Sequence, residues 1–529
     1  RRKFGRAMKR LANALLSTAL LSPSLAVSAA SGVTHSTPPS ACGEGKLRVL
    51  LIAPAWPWGF GAYQSQLSTL GAALVDLGHA VVWNAAFRPG VLPDPDRVYT
   101  FSEASLLAAG GDGRLPPKSA PSAATDARSA RFGFIDVPLP EAYWGRGNGV
   151  LVSAVDAAAR RHAIDAVVLL LDANLVLSDV DRTRPFSVFW FPSHFDAFVP
   201  SQRRALSAFD AIAALAPSAE QMLRESPAAA SGEFDPASKW VGAIPHVAEP
   251  PPGLHEAFYR EELGGIDALR PSLRRKHGMP PAAFVALVNC GNYDAMNRKA
   301  LDVAVLAFKA LRETVTGAHL FLKVMSTAHI LAAEGNVLPE QHTADPAISL
   351  ARLLRAAGLP AGSFTVEDRV LDWSASWEML AAADVLLMPS KSEGFGLPLL
   401  EAQRVGTPAV TTAFGAMADY TWHGISVPFV QRTFLSDGFA ATPSVSGTAD
   451  ALRRVAAGEL SASTREAAFR RVRAKLSSAA VGRRFHYLLL RGVCGEGGEV
   501  EAGKKEEDAA AAEEEEAEGE QAEEAAEGE

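Results

Sequence analysis

Short apolar runs recur along the chain, each followed by a glycine-containing or polar loop and then by apolar positions three and four apart. Residues 47–53 form one such run, of the kind that becomes a strand buried on both faces of a parallel sheet. It leads into the loop Trp56-Pro57-Trp58-Gly59-Phe60-Gly61. Beyond it Leu67, Leu70, Leu74 and Leu77 fall on one face of a predicted helix, which Gly78 ends before a strand at residues 81–83. Strand, helix and strand in that order make a βαβ unit. The pattern lapses over residues 102–130, which are rich in Ala, Ser, Gly and Pro and read as a surface loop or insertion. It resumes with strands predicted at residues 166–171, 186–191, 211–214 and 241–245. After the proline cluster at residues 249–253 a second series begins, with strands at 284–289, 319–324, 364–367, 385–388 and 409–412. The predicted class is α/β: two Rossmann-like, doubly wound domains facing across a cleft, whose ligands sit beyond the carboxyl ends of the strands.

The expected organisation is a targeting or disordered segment at residues 1–45, a first domain at 46–250, a linker at 251–275, a second domain at 276–435, helices at 436–494 and an acidic disordered tail at 495–529. Composition changes this picture at the two ends. Hydrophobic residues make up 48% of the 529 and charged ones 21%, an ordinary globular balance. The net charge of -8 argues against nucleic acid as a partner, and most of it lies in the Glu/Ala/Gly tail, which cannot build a core. Without the tail the body is slightly basic, which suits an anionic small molecule. Residues 1–43 hold no Asp or Glu. From Met8 they have signal-peptide form, which points to the secretory pathway, with an organelle transit peptide or the cytoplasm as alternatives. Cys42, Cys290 and Cys494 give neither a disulfide framework nor metal-ligand spacing, and Cys290, in an apolar run, reads as a small buried hydrophobe.

The chemistry concentrates in Pro389-Ser390-Lys391-Ser392-Glu393-Gly394-Phe395-Gly396-Leu397-Pro398-Leu399-Leu400-Glu401-Ala402. This is a strand end, a glycine loop and a helix start. Gly394 and Gly396 let backbone approach a ligand, Pro398 suits the first helical turn, and the exposed amides there favour a phosphate. Glu393 in the loop and Glu401 one turn into the helix can each accept from paired hydroxyls, as a sugar or a ribose offers. The Glu-x7-Glu pattern with Glu-Gly-Phe-Gly-Leu-Pro inside it resembles the signature of the group 1 (family 4) retaining glycosyltransferases of the GT-B fold. That resemblance implies that the first half of the chain serves the acceptor and the second half the donor. It places Glu393 by the donor sugar, Glu401 on the nucleotide ribose, and Gly394, Phe395, Gly396 and Leu397 against the sugar and ribose.

A second constellation, Gly291-Asn292-Tyr293-Asp294-Ala295-Met296-Asn297-Arg298-Lys299, follows the first strand of the second series. Adjacent cations there can neutralise a diphosphate, Arg by its fork and Lys as a point charge. The family carries Gly-Arg and Lys-Gly in this region. Here Asn292 stands where the Arg usually does and Ala300 follows Lys299, so Arg298 and Lys299 become the candidate diphosphate ligands. Gly59 and Gly61 resemble the family's glycine loop against the donor phosphate. His194, after the apolar run ending at Phe191, is a candidate catalytic or sugar-contacting residue, with a structural histidine as the alternative. His79 and His246 match structural and linker-entry positions. Met417 and Ala418 resemble backbone contacts to the donor sugar, and Asp419 is either part of that loop or a helix cap. The base is expected against residues 366–370. Arg470, Arg471, Arg473, Lys475, Arg483 and Arg484 form a basic helical face that is either solvated or a peripheral membrane contact.

The resemblance implies metal-independent transfer, with retained configuration, from a nucleoside-diphosphate sugar (UDP- or GDP-linked, a co-substrate rather than a cofactor) to a hydroxyl on a carbohydrate, lipid or protein. Asp179-Val180-Asp181 lies outside the donor half, so no metal is expected. A nucleotide-sugar epimerase and a non-catalytic sugar-nucleotide-binding paralogue are the rival functions.

Overall fold

In the computed structural model, the structure describes residues 42, 45–54, 56–57, 62–86, 91–108, 130–137, 150–177, 185–195, 200–225, 234–251, 254, 265–292, 296–325, 348–369, 371–435 and 438–495. All but Cys42 and Gly45 of the expected targeting segment, the acidic tail beyond Gly495, residues 252–253 and 255–264 of the linker, the stretch 109–129, Asp179-Val180-Asp181 and the loop glycines Gly59 and Gly61 lie outside the described residues.

The first half alternates strand and helix. In order come β1 (Arg48–Ala53), α1 (Ala62–Asp76), β2 (Ala80–Ala85), α2 (Phe101–Ala108), β3 (Gly133–Phe134), β4 (Val150–Leu151), α3 (Val152–Arg161), β5 (Ala166–Leu169), β6 (Val176–Leu177), β7 (Phe186–Phe191), α4 (Pro200–Ser207), β8 (Ala211–Ala214), α5 (Pro217–Arg224) and β9 (Trp240–Ala243). Seven of these strands form a sheet in the order β3-β2-β1-β5-β7-β8-β9, every neighbour parallel; β4 and β6 pair separately. The order reverses beside β1, which puts the crevice at the carboxyl ends of β1 and β5. Apolar runs are required here because both faces carry helices: β1, β5 and β8 are buried almost throughout.

The second half follows with α6 (Gly265–Lys276), β10 (Val285–Gly291), α7 (Leu301–Arg312), β11 (His319–Met325), α8 (Leu350–Ala357), β12 (Phe364–Glu367), α9 (Trp373–Ala382), β13 (Val385–Met388), α10 (Leu397–Arg404), β14 (Ala409–Thr412), α11 (Ala416–Tyr420), β15 (Gly424–Val427), β16 (Gln431–Leu435), β17 (Gly438–Thr442), α12 (Val445–Ala456), α13 (Ala462–Lys475) and α14 (Ser478–Cys494). Its sheet runs β12-β11-β10-β13-β14-β15, again all parallel, with the reversal between β10 and β13. β16 and β17 form an antiparallel hairpin outside both sheets. Two doubly wound parallel sheets are the arrangement that the sequence pattern predicts and that the family resemblance implies.

α14 carries the end of the chain back onto α1, the helix beside β1. The approach is close: a Cβ on Gly482 would stand 2.6 Å from that of Ala73. His79 fastens the same junction. Its Nδ1 accepts from the Leu47 amide at 3.0 Å, and its Nε2 meets His486 Nδ1 at 2.8 Å. Burial first, then the neighbouring His486, hold His79 down to about 4, which suits a neutral structural residue.

Three expectations change. Cys42 and Cys494 are joined in a disulfide across 452 residues of sequence. Spacing could not show this, because the partners meet only once α14 has crossed back to the first half; Cys290 stays a free thiol, pushed up to about 11 by burial. Residues 101–108, taken in part as loop, are helical. Thr100 and Glu103 form a capping box, the Thr100 amide donating to Glu103 Oε2 at 2.8 Å and the Glu103 amide to Thr100 Oγ1 at 3.4 Å. Leu77 is 36% exposed rather than on the buried face, because α1 ends one residue earlier.

Candidate functional site

The loop from β13 to α10 is built for close approach. Gly396 has φ +86, a left-handed conformation that favours glycine, and serves as the N-cap of α10, with Pro398 in the first turn. Gly394 meets the other half of the molecule: a Cβ there would fall 3.1 Å from the His194 ring and 3.3 Å from Pro192. Phe395 packs edge-on between His246 and Tyr420, at 5.1 and 5.0 Å between ring centres, and Leu397 opens α10 half-buried. The loop thus touches residues at the carboxyl end of β7 directly.

Glu393 is 6% exposed and lies between both predicted cations. Lys299 Nζ donates to its Oε1 and Oε2 at 2.6 and 2.8 Å, and an Arg298 Nη to Oε2 at 3.0 Å. The same Arg298 nitrogen donates to the Ser392 carbonyl at 2.7 Å. Burial alone would raise the Glu393 carboxyl. The charges of Lys299 and Arg298, with hydrogen bonds from Lys299 and Ser390, outweigh it and hold the group ionised well below the usual carboxylate range. Lys299 lies below the ordinary lysine value because its burial outweighs the pull of Glu393. Asn292 takes no part: its amide donates to the Ile348 carbonyl at 2.7 Å and accepts from the Ile348 amide at 2.9 Å, so it pins the end of β10 to the segment before α8.

Glu401 has a different setting. It is half-buried on α10, and burial pushes its carboxyl up to about 7. Met417 is fully buried and Ala418 exposed, the Ala418 amide donating to the Gly415 carbonyl at 2.9 Å. Asp419 caps a helix of the other half: its Oδ2 accepts from the Ser218 amide, at the start of α5, at 2.8 Å. Beside it the Tyr420 hydroxyl donates to the Leu215 carbonyl at 2.7 Å.

Across the cleft, His194 Nε2 faces Asp172 Oδ1 at 3.3 Å, and Tyr63 Oη donates to the same oxygen at 2.6 Å. His194 Nδ1 is buried without a hydrogen-bond partner among the described residues. Burial would raise the Asp172 carboxyl, but His194, Tyr63 and the charge of Arg298 bring it below its ordinary value. Asp172 and Tyr63 were missed in the sequence. The available signal was position: Asp172 immediately follows the apolar run of β5, at a carboxyl end where ligands gather. His246 is buried against Trp190 and Phe395 and pushed down to about 3 by burial, which fits a packing role. Between the two walls lies a cavity of about 600 Å³, with His194 and Gln221 on one side and Glu393, Phe414 and Gly415 on the other. The basic face of α13 is partly engaged, Arg470 with Glu466 and Arg471 over the Trp422 ring. Among the described residues no helix is long and apolar enough to cross a membrane.

Comparison with known proteins gives a family match for part of the chain and a fold for most of it. Residues 285–457 match the family model of the glycosyl transferases group 1. A D-inositol 3-phosphate glycosyltransferase of Actinosynnema mirum is 32% identical over 192 residues, 35% of this chain and 39% of its own length. Another, from Mycolicibacterium gilvum, is 29% identical over 239 residues, 42% of this chain and 50% of its own. The matches thus span half or less of those relatives. Among solved structures, sucrose-phosphate synthase from Thermosynechococcus elongatus superposes with TM-score 0.54 at 16% identity, covering 84% of this chain and 98% of its own. Anabaena HepE in complex with UDP and glucose gives 0.52 at 13% identity, over 84% and 99%. At such identities the likeness speaks for the fold alone. Residues 285–457 are therefore a group 1 glycosyl transferase domain, set in a chain of GT-B fold.

Proposed function

We propose that the chain transfers a sugar from a nucleoside-diphosphate sugar to a hydroxyl acceptor, with retained configuration and without a metal. The observation that carries this reading is the convergence of Lys299 and Arg298 on a buried, ionised Glu393, with His194 and Gly394 in contact beside them. Two cations held by one carboxylate keep a surplus of positive charge, which is what a departing diphosphate requires. The start of α10 adds the positive end of its helix dipole. The cation pair offers electrostatic stabilisation without a metal ion.

Glu393 is held ionised, so it cannot donate a proton. It orients Lys299 and Arg298 and accepts from a sugar hydroxyl. With Glu393 committed to that cluster, a donor phosphate oxygen takes the acceptor proton on the same face from which the diphosphate leaves, and configuration is retained. Glu401 grips the ribose. The relatives named D-inositol 3-phosphate glycosyltransferase and the HepE complex with UDP suggest the first trials: UDP-sugars as donors and a phosphorylated polyol as acceptor.

The test is a screen of the purified chain against radiolabelled UDP- and GDP-sugars, with and without acceptors. Transfer that disappears in Lys299→Met supports the reading. Tight nucleotide binding with neither transfer nor donor hydrolysis would move the chain to the non-catalytic class, and acceptor-independent conversion of the donor sugar to the epimerases.

A further inference from the structure

Arg432, one of the cavity's lining residues, belongs to an element to which the donor machinery gives no role, the hairpin β16–β17. Its register sets Arg432 opposite Ala441 and Phe434 opposite Phe439. Residues two apart on a strand share a face, so Arg432, Phe434 and Phe439 stand together, while Leu435 and Ala440 are buried on the other face. Phe434 is 59% and Phe439 40% exposed, their rings edge-to-face at 5.3 Å. The hairpin is fixed to the motif loop, the Ala441 amide donating to the Lys391 carbonyl at 2.9 Å. Its aromatic face is therefore held in a set relation to Glu393.

Arg432 lines the cavity from this side and Arg203, on α4, from the other. Arg203 has no ionic or hydrogen-bond partner among the described residues, while Glu225 on the same wall is engaged by Gln221 at 2.8 Å. A half-buried guanidinium that shares a cavity lining with a second one can help hold an oxyanion. Exposed aromatic pairs next to a binding cavity mark where an apolar ligand portion rests.

We infer that Arg203, Arg432, Phe434 and Phe439 form the outer acceptor subsite, and that the acceptor is an aryl-bearing anion. Its phosphate or carboxylate lies between the two arginines and its ring on the phenylalanine pair, with the reacting hydroxyl turned towards His194 and Glu393. A single molecule is favoured over a lipid surface because the strand that carries Phe434 also lines, through Arg432, a cavity of single-ligand size. The assignment of this ligand as an acceptor rests on the transferase reading; the binding itself does not.

Phenyl phosphate, benzoate and inorganic phosphate are titrated calorimetrically into the full chain with excess UDP, and again into Lys299→Met, where the donor site has lost one of its two cations and competes less for the probe. Phenyl phosphate is expected to bind about tenfold more tightly than inorganic phosphate, through its ring. Phe434→Ala with Phe439→Ala, both exposed positions, reduces phenyl phosphate to the level of inorganic phosphate. Arg203→Gln weakens the two phosphates alike. Benzoate binding with the same dependence on Arg203 and Phe434 keeps the subsite and identifies the anion as a carboxylate. Equal affinity for phenyl and inorganic phosphate, or indifference to both phenylalanine changes, overturns the proposal. So does capture of the chain by phosphatidylglycerol vesicles, lost in Phe434→Ala, without binding of any soluble probe. If UDP fails to bind while phenyl phosphate still follows Arg203 and Phe434, the subsite stands and the transferase reading falls.

Discussion

The two walls of the cleft are built to different standards. On the second-sheet side Lys299, Arg298 and Glu393 are side chains exposed by 18%, 14% and 6%, with contacts of 2.6 to 3.0 Å. On the first-sheet side His194 and Asp172 are 26% and 40% exposed and 3.3 Å apart. Buried charges are tolerable only in tight mutual contact, and removing one partner leaves the rest uncompensated. The half-exposed pair keeps its access to water and loses little when altered. One wall is thus rigid by electrostatic necessity, and the other is free to adapt to the molecule that enters.

That contrast can be broken in steps. Lys299→Met should lower transfer on the order of 10²–10³-fold and abolish measurable nucleotide binding, by steady-state kinetics and calorimetry; a loss below tenfold would dissolve the contrast. Glu393→Gln leaves two buried cations facing a neutral amide and should cost about 3–5 kcal/mol in denaturant unfolding. Because the carboxylate no longer competes for the cations, UDP should bind Glu393→Gln at least as well as the parent while transfer falls. Reduction of Cys42–Cys494, or Cys42→Ser, should cost about 2–4 kcal/mol, read as a lower unfolding temperature; the bond tethers α14, which helps hold the more adaptable half.

Glu401 gives a pH signature. Its carboxyl keeps its proton to about pH 7 in the folded chain, while an unfolded one releases it near 4.5. The folded state therefore binds more protons across that window. Stability should fall as pH rises from about 4.5 to 7, by about 2–3 kcal/mol, and Glu401→Gln should flatten the profile. If ribose hydroxyls donate to the ionised form, as proposed, nucleotide binding near pH 6.5 should expel a proton, visible as a buffer-dependent heat. Asp172→Asn should show the smallest effect, about tenfold on transfer with nucleotide affinity unchanged, because it orients His194 without touching the cations.

The strands and the motif loop were legible because their causes are local. A strand covered by helices on both faces must be apolar along its length, and a loop that meets a phosphate needs glycine and a helix start. Glu393, Arg298 and Lys299 could be singled out from their places after strands, but not their mutual pairing, which forms between β10 and β13 and leaves no trace in spacing. Asp172, Tyr63 and the Cys42–Cys494 bond belong to the same class of long-range meetings. α2 and the hairpin are another matter. Thr100-x-x-Glu103 is a capping box in plain sequence, and Asp437-Gly438 between alternating residues is a hairpin signal. Both were masked by surroundings of small residues and by strands too short for a clear period.

The bonds from Ser218 to Asp419 and from Tyr420 to Leu215 join the two halves at the rear of the cavity. Under the proposed function, any widening of the gap to release nucleotide must strip the first turn of α5 of its cap and rehydrate a buried phenol. Turnover then carries a mechanical toll separate from bond making. The catalytic cycle should slow in viscous solvent even where a single enzyme-bound round of chemistry runs at full speed.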